Sequence, residues 1–509
     1  MSNRRVSPPE SFIGVSMERF EASLESDGLG PGSLGPGMDM VRTVVQCSLP
    51  MPPVSPAAPL SLAGAAWLPG GADRISALPD RLLRDIISRL PAADGARTAA
   101  LASRWRPLWR SAPLVVADTH FLPLGVGEED SSRVADLVTR VLAAHPGPFR
   151  CVHLTRTAMD AHRGEIARWL DVLAAKGVQE LAFINRPWPL DIRLPATLFR
   201  CAPLTRLFLS AWRLPDTAAV PRSAAFPNLR ELGLSLVAVE DRDLAFLLDR
   251  SPVLEILTVI PSQVPVRLRL VSHSVRCVQL CYSIVAEVLV VDAPRLESLL
   301  QSWGLGSKSQ RCCRVKIGHA PKLRVIGYLQ PGEHDLEIGN TSIKAGTKLT
   351  ISTLVRSDLK KVPNFLRCFP NVETLHIQSE KACEEPTGKV GLKFWLEGGP
   401  ITCIRQQLKK LIFREFRGST NEVAFLKFVA EKARVLEKMV VVVYLSSGVG
   451  VSAMLKPLTC AKWANEACKL QVYKSIYSDG SRPVYGVRLA SEVLPADPFD
   501  LKDYYESLL

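Results

Sequence analysis

The chain has 509 residues, 47% of them hydrophobic, and a formal net charge of +13, which suits about two to four domains with a sizeable core. Its Lys and Arg residues are mixed with Asp and Glu, and the longest pure basic runs are pairs such as Lys360-Lys361 and Lys409-Lys410. That is a solvated surface more than a basic cluster, so nucleic acid is not an expected partner. Residues 1–72 are rich in Pro, Gly and Ser and read as a disordered leader outside the core. Residues 1–20 hold no continuous apolar core of a secretory signal. The apolar run 44–68 is broken by Pro50, Pro52, Pro53, Pro56 and Pro59, so it cannot cross a membrane as a helix. Twelve cysteines are scattered without a C-x-x-C pair, most of them inside apolar runs. Such thiols fit a reducing, cytoplasmic or nuclear setting.

Residues 73–115 form a separate helical module. Leu82, Leu83, Ile86, Ile87 and Leu90 recur at helical spacing. Pro79 is placed as a first helical residue, where the missing N–H costs nothing, and Asp80 suits the positive end of the helix dipole. Pro91 stops this helix. A second helix is expected from about Asp94 with Ala96, Ala99, Ala100 and Leu101, and a third carries Trp105, Leu108 and Trp109. Three short helices bury little apolar surface alone, so a partner is expected to complete them.

These residues carry a family resemblance. Leu78-Pro79-Asp80, Ile86 to Pro91, Ala96 to Thr98 and Leu101 to Trp109 resemble the F-box of plant F-box proteins. The resemblance implies binding to the Skp-type adaptor, and through it a cullin, of a ubiquitin ligase. It places Leu78, Pro79, Ile86, Leu90, Pro91 and Trp109 on the contact face. Two positions depart from the pattern. Gly95 lies early in the second helix at a cost of roughly 0.5–1 kcal/mol against Ala, and Pro107 is expected to kink or shorten the third.

From 130 to 391 an apolar-x-x-apolar-x-apolar unit recurs, as in PFRCVHL (148–154), PNLRELGL (227–234) and PKLRVIGY (321–328). Successive units from Phe149 to Leu323 are separated by 29, 26, 25, 25, 21, 21 and 27 residues. This period identifies leucine-rich repeats, each a short strand with a helix or turn as its return, stacked into a solenoid. Helical returns are expected at 163–173 and 241–248. From Leu323 to Val372 there is room for two repeats, with only a weak copy around Leu349–Ile351.

Residues 392–445 alternate strand (408–413), helix (422–436) and strand (439–444), with N-cap chemistry at Gly418-Ser419-Thr420-Asn421. This block resembles the FBD region of plant F-box proteins. The expected fold is therefore α/β: a helical F-box, a leucine-rich-repeat solenoid, and a C-terminal α/β FBD cap followed by a tail or further cap over 446–509. Chemistry-bearing motifs are sparse. Gly448-Val449-Gly450-Val451-Ser452-Ala453 follows a strand, but with no convincing βαβ unit after it and Pro457 cutting the helix short, it reads as a turn. Ala345-Gly346-Thr347-Lys348 lacks the remaining parts of a phosphate loop, the histidines are dispersed, and Cys312-Cys313 suits neither a disulfide nor a metal. No catalytic residue, cofactor or metal site is expected. The functional expectation is a non-catalytic substrate receptor of a Skp–cullin–F-box ligase, with the repeats binding an unknown target protein. The alternative is a leucine-rich scaffold acting outside ubiquitin transfer.

Overall fold

The computed structural model describes residues 49–54, 74–121 and most of 131–475, with 499 and 505–507, and divides into two compact units, Met1–Val264 and Pro265–Leu509. The first opens with three short helices, α1 (Asp80–Ile87), α2 (Ala92–Thr98) and α3 (Trp105–Ser111), and the strand β1 (Leu114–Ala117). Helix α4 (Ser131–Ala144), β2 (Phe149–Leu154), α5 (Arg163–Lys176), β3 (Glu180–Ile184), β4 (Arg206–Ser210), β5 (Glu231–Ser235), α6 (Asp241–Asp249) and β6 (Ile256–Val259) follow. Strands β1 to β6 pair in chain order, every pair parallel. Leu207, Leu232 and Leu257 stand in register across three strands, all fully buried. The repeat thus acts as expected: each strand buries its leucines only because a neighbour extends the same layer.

Local chemistry sets the returns. Ile166, Trp169, Leu170 and Leu173 form the buried stripe of α5, and Gly177 ends it at φ 73°, a left-handed C-cap that glycine adopts without Cβ strain. Glu240 and Asp243 form a capping box at the start of α6. Several details of the helical module differ from expectation. Pro79 and Pro91 are the N-caps of α1 and α2 and not helical residues. Pro107 is the third residue of α3 and does not break it, because a first-turn N–H has no intrahelical acceptor. Gly95 is buried inside α2 and is not a cap; a Cβ there would stand 3.4 Å from Leu114 Cδ2 and 3.6 Å from Ile87 Cγ2. In the expected leader, Leu49 packs against Ile184 and Leu236, and Val54 O meets His120 Nε2 at 3.1 Å. Residues 1–48 and 55–73 lie outside the described residues.

In the second unit β8 (Cys277–Cys281), β10 (Ser298–Ser302), β12 (Val325–Leu329), β14 (Leu349–Val355), β15 (Val372–Ser379), β16 (Lys410–Phe416), β17 (Lys438–Val443) and β18 (Lys469–Ser475) pair in that order. All are parallel, and β19 (Tyr505–Ser507) joins β18 antiparallel. The weak copy at Leu349–Ile351 is a true strand, bridging β12 and β15.

Here the expected helix or turn returns are corrected: β7 (Val266–Val271), β9 (Val285–Asp292), β11 (Cys313–His319) and β13 (His334–Ile338) form a second parallel sheet. Val266, Leu268 and Leu270 alternate with exposed Arg267, Arg269 and Val271, a period of two that selects strand. β7 and β9 each fall in a step of 21 residues, shorter than the 25–29 of the first unit, and a strand spans such a return with fewer residues than a helix.

The FBD block contains α7 (Val362–Arg367) before it, then α8 (Thr402–Gln406), β16, α9 (Thr420–Lys432) and β17. Ser419 and Glu422 close a capping box on α9. After β17, α10 (Val451–Thr459) leads to β18, which lies parallel to β17. This β17–α10–β18 unit corrects the expectation of a turn with no βαβ unit: Pro457 sits inside α10, seventh of nine residues, and the helix continues through it. Gly450 is its N-cap; Gly448, Val449, residues 345–348 and Cys312 lie outside the described residues.

Candidate functional site

The helical module is folded inward on one stripe and open on another. Leu83 and Ile87 of α1 and Trp105 and Leu108 of α3 are buried, whereas Leu82 is 48% exposed, Ile86 37%, Ile75 58% and Leu101 66%. Leu82 and Ile86, four residues apart, share a face of α1. Ile75 and Leu101 are exposed on the segments that flank α1 and α2. Of the contact residues expected from the resemblance, Pro79 and Ile86 are exposed and Leu78, Leu90 and Pro91 half-buried. Trp109 is also half-buried and turns toward His145, ring centroids 5.3 Å apart. Leu82 and Leu101 are exposed as well, and the i, i+4 spacing of Leu82 with Ile86 was the sequence signal for the former.

Arg104 organises the approach to α1, a role that sequence inspection missed. Its guanidinium donates to Leu78 O at 2.8 Å, to Asp80 Oδ1 at 2.6 Å, and to Ser76 O. Trp105 Nε1 donates to Ser76 Oγ at 3.1 Å. The segment carrying Leu78 and Pro79 is thereby tied to α3, 24–28 residues away in sequence.

A second cluster runs across β2 to β5 of the first unit. His153 Nε2 lies 2.8 Å from Glu180 Oε1; Arg206 bridges Glu180 Oε2 at 3.1 Å and Glu231 Oε2 at 2.9 Å. Cys151 completes a group whose donor atoms lie within 4.8 Å, the one Cys–His–carboxylate group of this kind among the described residues. Sequence spacing did not reveal it, because the strand register brings Glu180 opposite Cys151. Burial pushes the Cys151 thiol well up, with the Glu180 charge adding to it. Burial also raises Glu180, but the His153 hydrogen bond and the Arg206 charge outweigh it and hold the carboxylate below its ordinary value. The donor types suit zinc. A cation there would have to displace Arg206 and deprotonate a strongly protonated thiol, so the geometry is that of a polar network across four strands, β2 to β5.

Parallel strands stacked in chain order, with buried leucines in register from one strand to the next, define a leucine-rich-repeat protein. Comparison with known families agrees: residues 166–377 match the repeats described as FBD-associated F-box protein At5g56370, LRR repeats, and 397–441 match the FBD. The chain carries the leucine-rich repeats and the FBD of FBD-associated F-box proteins. It is 31% identical over 189 residues to F-box/LRR-repeat protein At3g26922 of Arabidopsis thaliana, covering 37% of this chain and 59% of that protein. Putative F-box/FBD/LRR-repeat protein At4g00315 of the same plant is 32% identical over 198 residues, 37% of this chain and 42% of the relative. With these two the chain shares about half of the relatives' length. F-box/FBD/LRR-repeat protein At5g22660, also from Arabidopsis thaliana, is 23% identical over 460 residues, 79% of this chain and 97% of that protein.

Proposed function

We propose that the chain is the substrate-recognition subunit of a Skp–cullin–F-box ubiquitin ligase. The helical module docks a Skp-type adaptor, and the repeats, stacked as a solenoid, present a polar strand face to a target protein. The observation that carries this reading is the exposure of Leu82 and Ile86 on one side of α1, with Ile75 and Leu101 also exposed in the helical module, in a chain with matched repeats and FBD. Members of this family are generally non-catalytic receptors. The contribution of such a subunit is proximity: it holds a target lysine near the recruited conjugating enzyme. Leu78, Pro79, Ile86, Leu90, Pro91 and Trp109 are proposed to line the adaptor contact, with Leu82 and Leu101 beside them. A few apolar anchors would carry most of the affinity.

Six of the nine described cysteines are buried in the apolar interior, which suits the reducing cytoplasmic or nuclear setting proposed for the chain. No helix among the described residues is long and apolar enough to cross a membrane. The decisive experiment is co-purification of the full chain with a plant Skp-type adaptor, wild type beside Leu78→Asp and Leu90→Asp. A complex formed by wild type and lost in the folded variants supports the receptor reading. No complex with a folded wild-type chain refutes it and leaves a leucine-rich scaffold outside ubiquitin transfer.

A further inference from the structure

The strand face of the second unit carries a pocket filled by the chain's own C-terminal region. Phe499 is fully buried and clusters with Leu300 and Val325. Its ring lies 5.4 Å from that of His376, the planes inclined at 58°. Leu300 pairs in register with Gly327 across β10 and β12, and the ring rests on that glycine: a Cβ at Gly327 would collide with it. The backbone of the same residue is held as well, since buried Arg414 on β16 donates from Nη2 to Phe499 O. Arg414 Nη2 also lies 3.2 Å from His376 Nδ1, which places the guanidinium beside the aromatic contact.

We propose that this pocket is a recognition site for a Phe side chain and the carbonyl of the same residue in a partner protein, and that Phe499 is its resident, competing occupant. The chemistry is general: a ring and the carbonyl that follows it are features any extended peptide with a Phe can offer. A missing side chain at Gly327 creates space that the sheet itself does not use, since the atoms a Cβ would meet first belong to the Phe499 ring. Anchoring ring and main chain together fixes the direction of the segment, with the guanidinium supplying a charge-assisted hydrogen bond. In the receptor reading, on which calling the partner a target depends, an incoming segment must displace Phe499. An occupant tethered in the same chain has an effective concentration of order millimolar, so only a tight-binding or multivalent target would do so.

The test uses the full chain and a fluorescein-labelled peptide of residues 495–503 (PADPFDLKD). Anisotropy should show binding to the Phe499→Ala chain, about tenfold or more weaker binding to wild type, and no binding of the peptide with its Phe replaced by Ala. Gly327→Ala introduced into the Phe499→Ala chain should abolish binding while the thermal melt stays cooperative. A folded Phe499→Ala chain that ignores the peptide, or binds the Phe and Ala peptides alike, would overturn the proposal. Loss of cooperative folding in Phe499→Ala would also overturn it, by making the ring an ordinary core side chain. Adaptor co-purification of the same variant is a separate readout, so failure of the pocket and failure of the receptor reading are distinguished.

Discussion

The Trp109 indole meets the His145 imidazole edge-on, with ring centroids 5.3 Å apart and planes inclined at 62°. His145 is buried, its Nε2 is 3.0 Å from Ala112 O, and its ring also lies 5.5 Å from Phe149 at the start of β2. This stack fastens α3 to the first repeat, so one face of the helical module is anchored while the face with Leu82 and Ile86 stays open. His145→Ala should destabilise the first unit by about 2–3 kcal/mol, through a cavity and a lost hydrogen bond. Chemical denaturation of the full chain, followed by tryptophan fluorescence, checks this.

The same burial predicts a pH dependence. Burial, outweighing the hydrogen bond to Ala112 O, holds His145 below the ordinary histidine value; burial does the same to His120 against its bond to Val54 O. A depressed histidine binds fewer protons folded than unfolded, so its stability contribution is present above the unfolded pKa of about 6.5 and falls as pH drops through it. Thermal melts should therefore shift downward between about pH 7.5 and 5.5. His145→Gln should flatten that slope; an unchanged slope would remove His145 as its source.

Leu82→Asp and Ile86→Asp should abolish adaptor co-purification with stability altered by less than about 0.5–1 kcal/mol, because both side chains are substantially solvent-exposed. Trp109→Ala differs: its stack on His145 predicts lower stability along with weaker binding. Paired melts and pull-downs of the three variants separate anchoring from docking. Equal destabilisation of all three would contradict the two-faced module.

Gly95→Ala should raise stability by about 0.5–1 kcal/mol, the helix propensity difference. The new methyl would make ordinary contact with Leu114 and Ile87, with no backbone collision to offset the gain. A lowered denaturation midpoint would show that the helices cannot accept even that methyl.

Ser419→Ala removes one half of the capping box, in which Ser419 Oγ accepts from Glu422 N at 3.3 Å and Glu422 accepts from Ser419 N at 3.0 Å. A loss of about 1 kcal/mol is expected, read as faster amide exchange in the first turn of α9.

Much of this architecture was legible because repetition is written locally. The spacing Leu229, Leu232, Leu234 sets one strand and its core side, and the recurrence of that spacing sets its neighbours. The return elements of the second unit were hidden: short alternating runs such as 266–271 are readable as strands only once another strand is there to pair with. Arg104 and Phe499 were hidden for a related reason, since each acts on residues more than 20 positions away.

The repeats, the helical module and the N-cap at Ser419 are legible along the chain, because apolar period and side-chain capping act within a few residues. Only the tertiary structure decided which apolar residues of α1 remain open, that Glu180 stands between His153 and Arg206, and that Phe499 fills the space at Gly327. Those relationships depend on strand register and long-range packing, which bring together groups that the chain keeps far apart.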